Sequence, residues 1–146
     1  MKQKILFVCI HNSARSQMAE AFVNQLCGGA FEAESAGIEP GKLNPVVVQV
    51  MQETGIDISR NPTKSTDEML QRGTKFDYVV TVCDETSAER CPYFPGQGTR
   101  LHWGFPDPSS FQGAPDAKLA FTRGVRDQIK AKIEAWCAMT CSASAC

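Results

Sequence analysis

Hydrophobic positions alternate between two spacings along the chain. Lys4 to Val8 is a short run, apolar from Ile5, that stops at Cys9, as a strand buried on both faces requires. A polar stretch follows, after which Met18, Ala19, Phe22, Val23 and Leu26 recur at helical spacing and predict a helix over 16–26 that Gly28-Gly29 ends. Phe31 to Ala36 reads as a second strand. Asn44-Pro45 marks a helix start with proline in the first turn, and Val46, Val47, Val50 and Met51 form its apolar face before Gly55. Residues 66–71 predict a weaker helix, Tyr78 to Val82 a buried strand ending at Cys83, and Thr99 to Trp103 a fourth strand. Val125, Ile129, Ile133 and Trp136 mark a long C-terminal helix with Asp116 as its candidate cap.

Strands that alternate with helices imply right-handed crossovers, hence an α/β fold: a single doubly wound domain whose parallel sheet is covered on both faces. At 146 residues the chain is one domain, expected over 1–137, with a small, polar, cysteine-containing flexible tail over 138–146. In such sheets ligands bind beyond the carboxyl ends of the strands. Cys9, Cys83 and Asp107 each fall at or just after a predicted strand end, which places them on one rim.

Charge and cysteine content narrow the function. Fifteen Lys+Arg against 16 Asp+Glu leave a net charge of −1, without the basic excess that nucleic acid or an anionic membrane requires of its partners. The run from Ile5 to Ile10 is too short for a secretory signal, and no stretch approaches a membrane span, so a cytoplasmic protein is expected. Seven cysteines without an export signal point to reactive thiols or metal ligands more than to a structural disulfide framework. Cys27 reads as core packing at a helix end; Cys137, Cys141 and Cys146 form a tail cluster, inert by default because its spacing lacks a Cys-x2-Cys pair, with soft-metal or arsenite binding and electron donation as the alternatives.

Between the first strand and its helix stands Cys9-Ile-His-Asn-Ser-Ala-Arg15-Ser16. Five intervening residues let the backbone curl so that successive N–H groups converge on an anion at a helix N-terminus. Arg15 adds a planar fork suited to two oxygens of a tetrahedral oxyanion. The same field favours a thiolate at Cys9, to which Ser16 is placed to donate. Taken alone, Cys-x5-Arg also fits a small buried thiol and a surface charge; its place between strand and helix favours the anion loop.

Cys9-Ile-His-Asn-Ser-Ala-Arg-Ser-Gln-Met-Ala-Glu-Ala21 resembles the anion loop of the low-molecular-weight protein tyrosine phosphatase fold, specifically its arsenate reductase branch. Further matches are Gly55-Ile-Asp-Ile-Ser59, Val79-Val-Thr-Val-Cys83, Cys91-Pro92, His102-Trp-Gly-Phe105 with Asp107-Pro108, and Arg123-Gly-Val-Arg-Asp-Gln-Ile129. The resemblance implies a four-stranded sheet of order 2-1-3-4. It implies that Ile10, His11, Asn12, Ser13, Ala14 and Arg15 bind the oxyanion, that Cys9 is the nucleophile and that Asp107 is the general acid. It also implies a Cys9/Cys83/Cys91 relay that leaves a Cys83–Cys91 disulfide. The implied substrate is arsenate, with phosphate or sulfate competing, and the implied partner is thioredoxin or a similar dithiol reductase.

The chain departs from the family's pattern at Ala14, where relatives often carry a second cysteine, and at His11, where they carry glycine; His11 is expected to be hydrogen-bonded within the loop. Asn12, Glu20 and Ser35 match part of a potassium site found in some relatives, but Lys64 places an ammonium where an acid is expected. No metal or other cofactor is therefore expected, and a monomer is the simplest assembly. Two other readings stay open. A tyrosine-phosphate hydrolase would use Cys9, Arg15 and Asp107 alike and leave Cys83 and Cys91 idle. A non-catalytic arsenite- or metal-binding protein would leave Arg15 and Asp107 without a purpose.

Overall fold

Five consecutive buried residues, Ile5 to Cys9, set the first strand, β1 (Gln3–Cys9), inside the sheet, where both of its faces are covered. The computed structural model describes residues 2–83 and 98–144, with side chains described through Met139. After β1 come α1 (Arg15–Leu26), β2 (Phe31–Gly37), α2 (Pro45–Gln52), α3 (Thr66–Arg72), β3 (Tyr78–Thr81), β4 (Thr99–His102), a 3-10 turn over Pro108–Ser110, and α4 (Pro115–Ser144). The strands pair in parallel in the order β2-β1-β3-β4, as expected. The chain moves from β1 to one side for β2 and then to the other for β3, so the topology reverses between β1 and β3. That reversal opens a crevice at the carboxyl ends of these two strands.

Alternate residues of β1 serve two cores. Ile5, Phe7 and Cys9 join Met18 and Phe22 of α1 and Val125, Ile129, Ile133 and Trp136 of α4, while Leu6 and Val8 meet Met69 of α3, Ala36 and Val79 on the other face. Trp136 knits the first core together, with ring centroids 4.8 Å from Phe31, 5.2 Å from Tyr78 and 5.7 Å from Trp103. Its far end is tied by charge. Glu53, just beyond α2, accepts from Arg123 Nη2 at 2.7 Å and Arg126 Nη1 at 2.8 Å, and these bonds, Arg123's foremost, lower its carboxyl to about 2.

Helix ends follow local chemistry with two exceptions. Asn44 caps α2 by accepting from Val46 N at 2.9 Å, Ser65 caps α3 by accepting from Glu68 N at 3.0 Å, and Gly73 ends α3 at φ 68°. Asp116, expected as the cap of the last helix, instead sits within its first turn behind Pro115, where a carboxylate still opposes the helix dipole. The same helix continues to Ser144, through positions expected to fray. Leu26, assigned to the apolar face of α1, is 44% exposed.

The cysteine reading needs a larger correction. Cys27 and Cys137 form a disulfide across 110 residues, with Cα atoms 6.4 Å apart. Cys27 does close α1 and is buried, but it does not merely pack. Cys137 does not belong to a separate inert cluster. The pairing follows from α1 lying against α4, which brings the end of one helix to the side of the other. Nothing in the spacing of the two residues announces it. No helix among the described residues is long and apolar enough to cross a membrane.

Candidate active site

The loop from Cys9 to Arg15 is shaped by where its carbonyls go. Cys9 O accepts from Ile38 N (3.3 Å), Ile10 O from Glu39 N (2.8 Å), His11 O from Gly41 N (3.0 Å), Ser13 O from Asn44 N (3.0 Å) and Ala14 O from Met18 N (3.0 Å). Asn12 O accepts from Gln17 Nε2 at 3.2 Å. Six successive carbonyls are thus bound by the chain that leaves β2 or by α1. In a planar trans peptide the next residue's N–H points opposite to the carbonyl. The amides of residues 10 to 15 are thereby turned to the other side, as an anion cradle requires.

Cys9, free and 3% exposed, sits at the start of this loop. Its Sγ receives Asn12 N at 3.1 Å and shares a hydrogen bond with Ser16 Oγ at 2.9 Å; Ser16 Oγ in turn accepts from Asn12 Nδ2 at 2.8 Å. These bonds fix the position of the sulfur against the loop. Asn12 adopts φ 55°, a left-handed conformation that Asn tolerates better than most residues, and its fully buried side chain accepts from Lys64 N (2.9 Å) and Gln17 Nε2 (3.1 Å). His11 is hydrogen-bonded, but its partner lies outside the loop: Nδ1 meets the carbonyl of Glu39, in the chain that leaves β2, at 2.9 Å.

Arg15 is 3% exposed, and its Nη1 donates to the carbonyls of Phe105 (3.2 Å) and Val82 (3.4 Å). Its Nη2 lies 3.6 Å from Asp107 Oδ2. Asp107 also caps the Pro108–Ser110 turn, accepting from Ser109 N at 2.9 Å. Arginine and acid are therefore brought together over the strand ends. Cys83 is fully buried two residues beyond β3, the strand beside β1, with Val82 N bonded to Val8 O at 3.1 Å. It is disulfide-bonded, and neither the free Cys9 nor the mutually bonded Cys27 and Cys137 is its partner. Cys91 lies outside the described residues.

Three supporting residues escaped the sequence reading. Gly37 ends β2 against the loop, and a Cβ there would fall 2.5 Å from Ile10 O and 2.8 Å from Asn12 N, so only glycine fits. Gln17, 1% exposed, braces Asn12 and donates to Pro62 O at 3.0 Å. Asn44, read only as a helix start, binds the loop through Ser13 O and donates through Nδ2 to Ser109 Oγ at 2.9 Å. It thereby links the anion loop to the segment that carries Asp107. An Asn-Pro pair signals the cap, but the link to Ser109 spans 65 residues and has no local signature.

Beside the loop, Lys64 Nζ reaches Glu20 Oε1 at 3.3 Å and Ser35 Oγ donates to the same oxygen at 3.1 Å. Burial raises the Glu20 carboxyl above its ordinary value, and the Lys64 ammonium opposes that rise. Among the described residues no group of three or more His, Cys, Asp or Glu side chains is arranged to hold a metal ion.

A parallel sheet with a Cys-x5-Arg loop at its central crevice defines a class, and the chain belongs to it: the low molecular weight phosphotyrosine protein phosphatase family, whose model matches residues 4–143. Within that class the chain is 44% identical over 130 residues to the arsenate reductase of Bacillus subtilis (strain 168), covering 88% of this chain and 91% of that one. An arsenate reductase solved in its phosphate binding state has a TM-score of 0.72 at 30% identity, covering 94% of this chain and 98% of that one. A thioredoxin-dependent arsenate reductase from Corynebacterium glutamicum has a TM-score of 0.59 at 27% identity, covering 92% of this chain and 63% of that one.

Proposed function

We propose that the chain reduces arsenate to arsenite and is recycled by a thioredoxin-type dithiol. Arsenate sits on the amides of Ile10 to Arg15 and on the Arg15 guanidinium, where phosphate and sulfate compete with it. The Cys9 thiolate attacks arsenic, and Asp107 protonates the oxygen that leaves as water. Cys83 then attacks Cys9 sulfur: the sulfur–arsenic bond breaks, its electron pair stays on arsenic, and arsenite departs as a Cys9–Cys83 disulfide forms. Cys91 attacks Cys83 and frees Cys9, and an external dithiol reduces the resulting Cys83–Cys91 bond.

The observation that carries this reading is the bonded state of Cys83, fully buried beside the strand of a free Cys9. A phosphatase would use Cys9, Arg15 and Asp107 and leave Cys83 idle. Lys64 on Glu20 supports turnover with no metal and no potassium requirement, since an ammonium already occupies that position. A cytoplasmic monomer suits dependence on a dithiol reductant, and sedimentation of the reduced protein checks the assembly.

Arsenate added to the protein with reduced thioredoxin should oxidise one thioredoxin per arsenite formed. Unchanged thioredoxin together with hydrolysis of aryl phosphates would replace this reading with the phosphatase.

A further inference from the structure

Among the described side chains, the reaction leaves Cys27 and Cys137 unused. The Cys27 carbonyl receives the amides of Ala30 (3.1 Å) and Phe31 (3.0 Å), the residue that opens β2, so the Cys27–Cys137 pair lies where strands begin. Cys9 lies where β1 ends. A seven-residue strand spans roughly 23 Å, too far for this pair to exchange electrons with Cys9 without unfolding.

The pair is reachable from solvent. Together with Leu26, Glu134 and Ala138 it lines an open cavity of about 380 Å³, although Cys27 and Cys137 are themselves only 8% and 7% exposed. Packing independent of sulfur also holds the two cysteines side by side. Met18, Phe22, Val125, Ile129 and Ile133 lock α1 against α4 in one core. Trp136, next to Cys137, packs on Phe31, four residues after Cys27, with ring centroids 4.8 Å apart. A dithiol reductant that opened this disulfide would leave two thiols already positioned as a chelate, with little ordering still to be lost on binding.

We propose that the Cys27/Cys137 pair, in its dithiol form, is a binding site for thiophilic trivalent arsenic. Soft thiolates select soft centres, and a three-coordinate arsenic takes two of its three ligands from such a pair. Arsenite would exchange two hydroxyl groups for the two sulfurs: two S–H and two As–OH bonds break, two As–S bonds form, and two waters leave. Nothing is oxidised or reduced. The third position of arsenic faces the cavity and keeps its hydroxyl. Arsenic then replaces the S–S bond as the link between α1 and α4. That the arsenite comes from this chain's own turnover rests on the reductase reading; the site's chemistry does not.

The test avoids turnover, so the two readings fail separately. A chain with Cys9→Ser, Cys83→Ser, Cys91→Ser, Cys141→Ser and Cys146→Ser, which keeps only Cys27 and Cys137, is reduced with a phosphine, freed of it and titrated with phenylarsine oxide. Intact mass and thermal unfolding are then recorded. The expected result is one phenylarsenic group per chain in place of two thiol protons, with a raised unfolding temperature. Adding Cys27→Ser should remove both effects. The same protein left oxidised should take up no arsenical at the pair, a control that needs no further substitution to fold. An adduct that survives Cys27→Ser, or no adduct in the reduced chain, would overturn the proposal. Cys27→Ser alone should leave arsenate turnover with thioredoxin unchanged.

Discussion

The loop that leads into helix α1 opens on one cysteine and the helix closes on another, and the two sulfurs meet different surroundings. Before the helix, Cys9 is free and faces an N–H at 3.1 Å and a hydroxyl at 2.9 Å, on the side of the positive end of the helix dipole. After the helix, Cys27 lies at the negative end, buried against α4 and bonded to Cys137. Both are nearly excluded from water, so exposure does not separate them. Polar partners hold one sulfur in place for attack; a second thiol held at a Cα separation of 6.4 Å makes the other a staple.

Substitutions sharpen this contrast. Cys9→Ser should abolish arsenate turnover, by at least about 10³-fold, while the fold persists, measured as arsenite formed per enzyme. Asp107→Asn should lower kcat by about 10²- to 10⁴-fold, measured as arsenite formed per enzyme under saturating arsenate. Cys27→Ser should do the reverse of Cys9→Ser: turnover holds, while oxidised protein loses about 2–4 kcal/mol of stability in denaturant unfolding, because a long closed loop is released. Ser109→Ala removes the Asn44 link to the Asp107 segment without touching a reacting group. One hydrogen bond of about 0.5–1.5 kcal/mol predicts a fall in kcat of up to about tenfold with KM unchanged.

The smallest effect concerns the α2–α4 tie. Glu53 is held at about 2 by Arg123 and Arg126, so its ion pairs stabilise the fold above the ordinary carboxylate range and lose that contribution as pH falls toward 2. Wild type and Glu53→Gln should therefore differ in stability by a constant amount at neutral pH and converge between about pH 4.5 and 2. Exposure and solvent screening keep the difference small.

What could be read from the chain divides along the same line. The anion loop was legible because its parts are contiguous: strand, cysteine, polar curl, arginine, helix. Strand spacing likewise located β1 and β3, whose apolar runs follow from burial inside the sheet, whereas the edge strands β2 and β4 carry polar and exposed positions. Gly37, Asn44 and Gln17 were not legible as site residues because their roles arise where the β2–α2 and α2–α3 connections meet the loop and its helix. The Cys27–Cys137 bond joins residues 110 apart, and helix packing rather than spacing selects the pair. Asp116 carries a capping signature, but the proline before it takes the first helical position.

The central claim is that arsenate drives electrons out of Cys83 and Cys91 through Cys9. Fully reduced protein exposed once to arsenate, with phosphate and no-anion controls, can be digested with trypsin and its disulfides mapped by mass spectrometry. Cleavage after Lys75, Arg90 and Arg100 separates Cys83 and Cys91 onto peptides 76–90 and 91–100. The account requires a 76–90 to 91–100 crosslink that appears only with arsenate, while any Cys27–Cys137 crosslink is the same in all three samples. Thiols at Cys83 and Cys91 that stay reduced after arsenate has been consumed would contradict it.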